Sequence, residues 1–206
     1  DTLKDLEIKK VSGYILDLRS NPGGLLESSI DISRQFIDKG IIVSTLSKNG
    51  VREIKRGNGR ALTKKPLVVL VNEGSASASE IVSGAISDNN RGKLVGKKTF
   101  GKGLVQSMRT LVDGSGLTVT VAKYLTPNGT DINKFGITPE IEVNMNVNPI
   151  LQREIGTKKD KQYRVGENEL VKIIKRNKLV SQFEPNSANL TAFIKMKDNS
   201  FVYSLN

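Results

Sequence analysis

The sequence predicts an α/β fold with a parallel sheet at its centre, and three observations carry that expectation. Two short runs, GYILDLR at 13–19 and PLVVLVN at 66–72, are apolar without alternation, the pattern of strands covered on both faces. Each run ends in a turn of small residues and passes into a helical pattern with one apolar stripe. Two further pairs of segments are joined by short turn sequences, which adds β-hairpins to the core.

Taken in order, the first run ends in SNPGG (20–24), a Pro-Gly turn. Leu26, Ile30 and Ile37, with Phe36 beside them, then fall on one helical stripe that Gly40 closes. IIVSTLS and VREIKR flank KNG (48–50) as the first hairpin. After the second run, VNEGSASASE leads into a helix with Ile81, Val82, Ala85 and Ile86 on its apolar face and DNNRG (88–92) as its stop. LVQSMRTLV (104–112) and GLTVTVAKYL (116–125) flank DGS as the second hairpin, with clear alternation in the second arm. From residue 147 the chain becomes rich in Lys and Asn, and NELVKIIKRNK (168–178) reads as one short amphipathic helix in an otherwise aperiodic stretch. The expected organisation is a core over 1–146 and a basic, partly helical C-terminal extension over 147–206.

At 206 residues and 37% hydrophobic content, the chain has material for one substantial core. It contains neither cysteine nor histidine. That excludes disulfides, a thiolate nucleophile and any Ser-His-Asp arrangement, and it removes the usual ligands of a transition-metal site. The net charge of +11 raises nucleic acid or an anionic surface as partners. Acids are interspersed with the Lys and Arg, however, and aromatics are only 5%, so no base-stacking surface is written here and nucleic acid is not the expected partner. No run approaches the ~20 apolar residues of a membrane span, and no charged-then-apolar leader precedes Asp1. Starting without Met, the chain reads as a mature form or a piece of a longer protein.

Ser75, Ser77 and Ser79 stand on alternate positions where the second apolar run turns into a helix. One reading makes Ser77 or Ser75 an N-cap, with Glu80 completing a capping box. The other makes one of them a nucleophile, since the carboxyl edge of an α/β sheet gathers sites and a helix N-terminus offers free N–H groups to a developing oxyanion. SNPGG has the same two readings, a turn or a second source of N–H donors, and it lacks the Lys-Ser or Lys-Thr of a phosphate-binding loop. A serine nucleophile in a chain without histidine needs another base. Lys102, between Gly101 and Gly103 and flanked further out by Phe100 and Leu104, is the candidate. A lysine at a loop tip is ordinarily a solvated cation, and service as a base requires its neutral form, favoured by burial or by nearby cations.

Together, GYILDLRSNPGGLL, VNEGSASASEI, GKKTFGKGLVQS and DGSGLTVTVAKYLTPNGTDINKFGITPE resemble the C-terminal processing proteases, the Ser/Lys tail-specific peptidases. The blocks stand in that family's order and span about residues 10–143. The last is most similar to the branch of oxygenic phototrophs that trims the C-terminal extension of a photosystem II reaction-centre precursor. The resemblance implies a ClpP/crotonase-like α/β core acting as a serine endopeptidase. It implies Ser77 as nucleophile, Lys102, twenty-five residues later, as base, and Gln106 as the residue that orients the amine. The oxyanion donors it implies are the N–H groups of Gly23 and Ala78, and Asp88 matches an acidic position taken here as structural support. A straight strand would put Gln106 about 13 Å from Lys102, so the chain is expected to bend near Gly103.

The same resemblance implies no cofactor and no metal, and a protein or peptide substrate with a free C-terminal tail. It implies a place in the cell envelope, periplasm or thylakoid lumen, with membrane contact only through the substrate, and it leaves the oligomeric state open. The leader, helical N-terminal part and PDZ domain that accompany such cores are not in this sequence. Lys97 stands where relatives carry an acid and adds a cation five residues from Lys102. Two other classes fit the scaffold, a catalytically idle ligand- or peptide-binding relative and an acyl-CoA enzyme of the crotonase type. The intact Ser77/Lys102 pair argues against the first, and the serine block and later hairpin against the second.

Overall fold

The computed structural model describes residues 2–144, 155–180, 191–197 and 200–205. The elements are α1 (Thr2–Ile8), β1 (Gly13–Asp17), α2 (Leu26–Phe36), β2 (Ile41–Ser47), β3 (Arg52–Arg56), β4 (Leu67–Val71), α3 (Ala78–Asp88), β5 (Lys93–Gly96), β6 (Leu104–Thr110), β7 (Gly116–Leu125), β8 (Ile141–Glu142), α4 (Lys161–Val180), β9 (Thr191–Lys197) and β10 (Ser200–Leu205). They form a six-stranded sheet in the order β10-β9-β1-β4-β5-β8 and a four-stranded sheet in the order β3-β2-β7-β6. In the larger sheet only β10 runs antiparallel to its neighbour.

The two unalternating runs are β1 and β4, paired in parallel with Tyr14 opposite Leu67 and Leu16 opposite Val69, and every residue of both is buried. Their side chains divide between two cores because successive strand residues point to opposite faces. Tyr14, Leu16, Val69 and Val71 pack with Ile30 and Phe36 of α2 and Ile81, Val82 and Ala85 of α3. Ile15, Val68 and Leu70 pack on the other face with Tyr163, Leu170 and Ile174 of α4. Fully burying each such side chain is worth about 1.5–3 kcal/mol, so the middle of the sheet is the most strongly held part of the fold.

Both expected hairpins form, as β2–β3 and β6–β7. The alternation of β7 does not translate into a buried face along its outer half, where Leu117, Val119 and Val121 stay substantially exposed. β2 pairs only with Ala122–Leu125, which leaves the outer half of β7 in a two-stranded ribbon.

The C-terminal region departs most from expectation. α4 runs over twenty residues, Lys161–Val180, and so begins seven residues before the expected 168. Gly166 is the reason: a Cβ there would lie 2.8 Å from Leu70 Cδ2, so a residue that reads as a helix breaker is the point of closest approach to β4. β9 joins the main sheet as a parallel neighbour of β1, and β10 extends it. The region expected as an extension thus supplies one helical layer and two strands of the central sheet. The expected boundary at 146/147 lies outside the described residues. No described helix is long and apolar enough to cross a membrane.

Candidate active site

The carboxyl ends of β1 and β4 lie side by side, so the loops leaving them, SNPGG and NEGSAS, meet. Asn72 fastens one to the other, its Oδ1 accepting the N–H of Ser20 at 2.7 Å and of Gly74 at 3.0 Å while its Nδ2 donates to Ser20 Oγ at 3.2 Å. Further on, the Asn21 carbonyl accepts the Ala76 N–H at 3.0 Å and the Ser79 hydroxyl at 3.1 Å. Gly23 is thereby laid over the serine turn, where a Cβ on it would stand 2.6 Å from the Ala76 carbonyl oxygen and 2.8 Å from the Ala78 nitrogen. Its φ of +98° is a second reason for glycine.

The three serines separate by what their hydroxyls hold. Ser75 is fully buried and donates to the Leu18 carbonyl at 2.7 Å while accepting the Asn72 N–H at 3.0 Å. Ser79, also buried, is tied to the Asn21 carbonyl. Ser77 is half-buried, and its side chain faces the backbone of Glu80 in a capping box, while its hydroxyl donates to no acceptor among the described residues. Its backbone sits at φ 54°, ψ −116°, outside the regions open to L-residues, at a cost of about 1–3 kcal/mol that the surroundings must hold down.

Glu80 does much of that holding. Its fully buried carboxylate accepts four hydrogen bonds, from the Thr99 hydroxyl and the Gly101 N–H at Oε1, both 2.6 Å, and from the N–H groups of Ser77 (2.9 Å) and Lys102 (2.8 Å) at Oε2. The capping reading and the nucleophile reading are therefore not exclusive. Glu80 is a true N-terminal cap of α3, and through the same oxygen it joins the backbone of Ser77 to that of Lys102. Sequence reasoning saw only the cap, because the 99–102 loop that supplies the other donors is distant in the chain. That loop is braced from behind, Lys134 N–H donating to the Gly101 carbonyl at 2.8 Å and Ile137 N–H to Thr99 Oγ1 at 2.7 Å.

The remaining candidates fall as follows. The Lys102 side chain is exposed, with no ion-pair or hydrogen-bond partner among the described residues, so burial by its sequence neighbours does not occur; Phe100 itself is 65% exposed. Lys97 pairs with Glu73 at 3.4 Å, which offsets the cation expected to act on Lys102. Gln106 lies exposed on β6 after a bulge at Val105/Gln106, and no hydrogen bond joins it to Lys102. An irregularity in the strand thus falls two to three residues beyond Gly103, without the expected contact. The Gly23 N–H is occupied, donating to Asn21 Oδ1 at 2.9 Å, whereas the Ala78 N–H has no partner among the described residues. Asp88 sits at the far end of α3, where Oδ2 accepts the Asn128 N–H at 2.8 Å and anchors the turn after β7.

Below Gly23 and Ala78, a small crevice between α2 and α3 is lined by Leu18, Leu25, Ser29, Ile32, Ala78 and Val82. An apolar notch beside a strained serine at a strand-to-helix turn suits acyl transfer from a peptide. Fold and turn together point to the serine-type peptidases as the class.

The pattern of Peptidase family S41 matches residues 1–143, and the chain belongs to that family. A carboxyl-terminal-processing protease of Synechocystis sp. is 56% identical over 138 residues, covering 67% of this chain and 32% of the relative. Carboxy-terminal processing protease CtpA of Bacillus subtilis is 46% identical over 146 residues, 70% of this chain and 31% of the relative. Among solved structures, the photosystem II D1 C-terminal processing protease superposes with a TM-score of 0.66 at 44% identity, over 69% of this chain and 37% of that one. The chain spans about a third of the length of the curated relatives it matches.

Proposed function

We propose that this chain carries the catalytic core of a C-terminal processing peptidase, a serine endopeptidase that cuts near the free C-terminus of protein substrates with a Ser77/Lys102 dyad. The observation that carries the reading is the contrast among the serines: Ser75 and Ser79 donate their hydroxyl protons to backbone carbonyls, whereas the Ser77 hydroxyl donates to no acceptor among the described residues, on a strained turn tethered through Glu80 to the backbone of Lys102. The names of the relatives supply the C-terminal character of the cut.

In this mechanism Ser77 Oγ attacks the scissile carbonyl carbon and its proton passes to the neutral Lys102 amine. The negative charge that forms on the carbonyl oxygen is met by the Ala78 N–H and by the Gly23 N–H, for which the oxyanion displaces Asn21 Oδ1. Collapse breaks the C–N bond, and the Lys102 ammonium returns the proton to the leaving amine. Water then attacks the acyl-Ser77 ester, Lys102 again takes and returns a proton, and Ser77 is regenerated. Because Lys102 is exposed, the desolvation that favours its neutral form comes from substrate covering the loop, and the exposed Phe100 beside it provides apolar surface for that closure. The crevice under Gly23 and Ala78 accepts a small apolar side chain next to the cut bond. Gln106, which has no hydrogen bond to Lys102 among the described residues, is assigned the role of orienting the amine when substrate is bound. The natural setting in this reading is the cell envelope, periplasm or thylakoid lumen, and the chloroplast and photosystem II proteins among the relatives support it.

The test is cleavage by the full-length protein of an unstructured polypeptide with an apolar tail, with mass spectrometry locating the cut, and with Ser77→Ala in parallel. Cuts confined to the C-terminal region and lost in Ser77→Ala support the reading. Wild-type cleavage rates in Ser77→Ala end it.

A further inference from the structure

We propose that Asp160, at the start of α4, is a positioning residue for the oxyanion loop, acting through Arg19; the proposal rests on the Ser77/Lys102 reading of the site. Arg19 leaves the end of β1 at 8% exposure. Its guanidinium forks onto Asp17, Nε to Oδ1 at 2.9 Å and Nη2 to Oδ2 at 2.7 Å, and reaches across to Asp160 at 3.0 and 2.8 Å and to Gln162 Oε1 at 3.2 Å. Asp17 is the last residue of β1, only two positions before Arg19, so it ties the guanidinium to its own strand end. Asp160 lies 141 residues away in sequence and belongs to a different layer, so it fixes the guanidinium relative to the rest of the molecule. It is itself fixed, since Oδ1 accepts the Tyr163 N–H and Oδ2 the Gly156 N–H, both at 3.0 Å.

Arg19 and Ser20 are the central residues of a turn closed by the Asn21 N–H on the Leu18 carbonyl at 3.3 Å. Ser20 has φ 55°, a conformation that persists only where the surroundings impose it. Asn21, the last residue of this turn, carries the contacts to Ala76, Ser79 and Gly23. A continuous path of hydrogen bonds and one tight turn thus runs from Asp160 to the backbone that meets the oxyanion. Stability alone is a poor account of the cluster, because buried ion groups can often be replaced by apolar ones at no loss. A bidentate Arg fork contributes fixed geometry, and geometry is what an oxyanion loop needs. The match to the peptidase family ends at residue 143, so Asp160 lies beyond the segment that defines the family.

The experiment uses Asp160→Asn in the full-length protein, because Asn caps a helix as well as Asp does, so its oxygen can keep the Tyr163 N–H while the charge and one of the two acceptor oxygens facing Arg19 and Gly156 are lost. The expected result is kcat lowered about 10-fold with KM within about 2-fold, the pattern of an interaction lost in the transition state. Amide exchange read by mass spectrometry is expected to speed up in 18–24 while α4 keeps its protection. Asp160→Glu, which restores the carboxylate, should recover part of both. Wild-type kcat with unchanged exchange in 18–24, or a loss of protection confined to α4, overturns the proposal and leaves Asp160 a simple cap. A wild-type protein in which a fluorophosphonate fails to label Ser77 sinks the dyad reading instead, and the exchange arm then still decides the coupling.

Discussion

At the scale of single residues, the serine run shows how neighbours of one type acquire different work. Ser75 and Ser79 each donate a hydroxyl proton to a backbone carbonyl, and Ser75 also accepts the Asn72 N–H, so removing either loses hydrogen bonds worth about 0.5–1.5 kcal/mol each. Ser75→Ala and Ser79→Ala are therefore expected to melt lower and remain at least partly active, while Ser77→Ala keeps its melting temperature and loses cleavage. Equal inactivation of all three would return the run to a purely structural role. Lys102 allows a complementary test, because its side chain holds nothing together in the folded chain. Arginine keeps the charge but cannot be deprotonated, so Lys102→Arg is expected to be fully folded and inactive at every pH at which the wild type cleaves. Substantial activity in Lys102→Arg, measured from pH 6 to 10, removes the base from the mechanism.

At the scale of elements, the site exists because the 99–102 loop and the N-terminus of α3 are drawn onto a single carboxylate. Glu80→Gln replaces an acceptor of four hydrogen bonds with a group whose amide nitrogen must face donors, and it is expected to cost about 3 kcal/mol or more and to lower kcat by at least about 10-fold. Thermal melts and steady-state kinetics check both parts, and an intact kcat in a destabilised protein would limit Glu80 to structure. As candidates, Ser77, Lys102 and Gly23 were legible in the sequence through local features, alternate serines, a lysine between glycines and a Pro-Gly turn, and the family resemblance chose Ser77 among the three serines. The wider role of Glu80 was not, since a capping position three residues into a helix looks the same whether one donor or four converge on it. β1, β4, α2 and α3 announced themselves through unbroken apolar runs and helical stripes. β5 and β8, at four and two residues, are too short to carry a period, and they exist because a parallel neighbour supplies their hydrogen bonds.

At the scale of the whole molecule, the ends of the chain are sewn into the sheet by contacts that no local pattern encodes. β9 beside β1, and Asp160 against Arg19, are long-range pairings between segments that look basic and aperiodic when read alone. The Arg19–Asp160 tie also gives the stability of the molecule a defined acid limb. Burial by itself would raise the Asp160 pKa, but the hydrogen bonds and charge of Arg19, aided by the Gly156 and Tyr163 N–H groups, outweigh it and hold the carboxyl below the ordinary aspartate value of 3.8. A depressed carboxylate contributes stability that is fully present above its unfolded pKa and is lost as the pH falls through its folded value, so this contribution disappears below about pH 4. Asp160→Asn has no such group to titrate, and at low pH the protonated wild-type side chain becomes its near equivalent. Urea unfolding from pH 7 to pH 2 is therefore expected to show a wild-type protein more stable than Asp160→Asn at neutrality, with the gap closing below pH 4. A gap that stays constant across that range would mean that the Arg19–Asp160 pair does not hold α4 to the sheet through its charge.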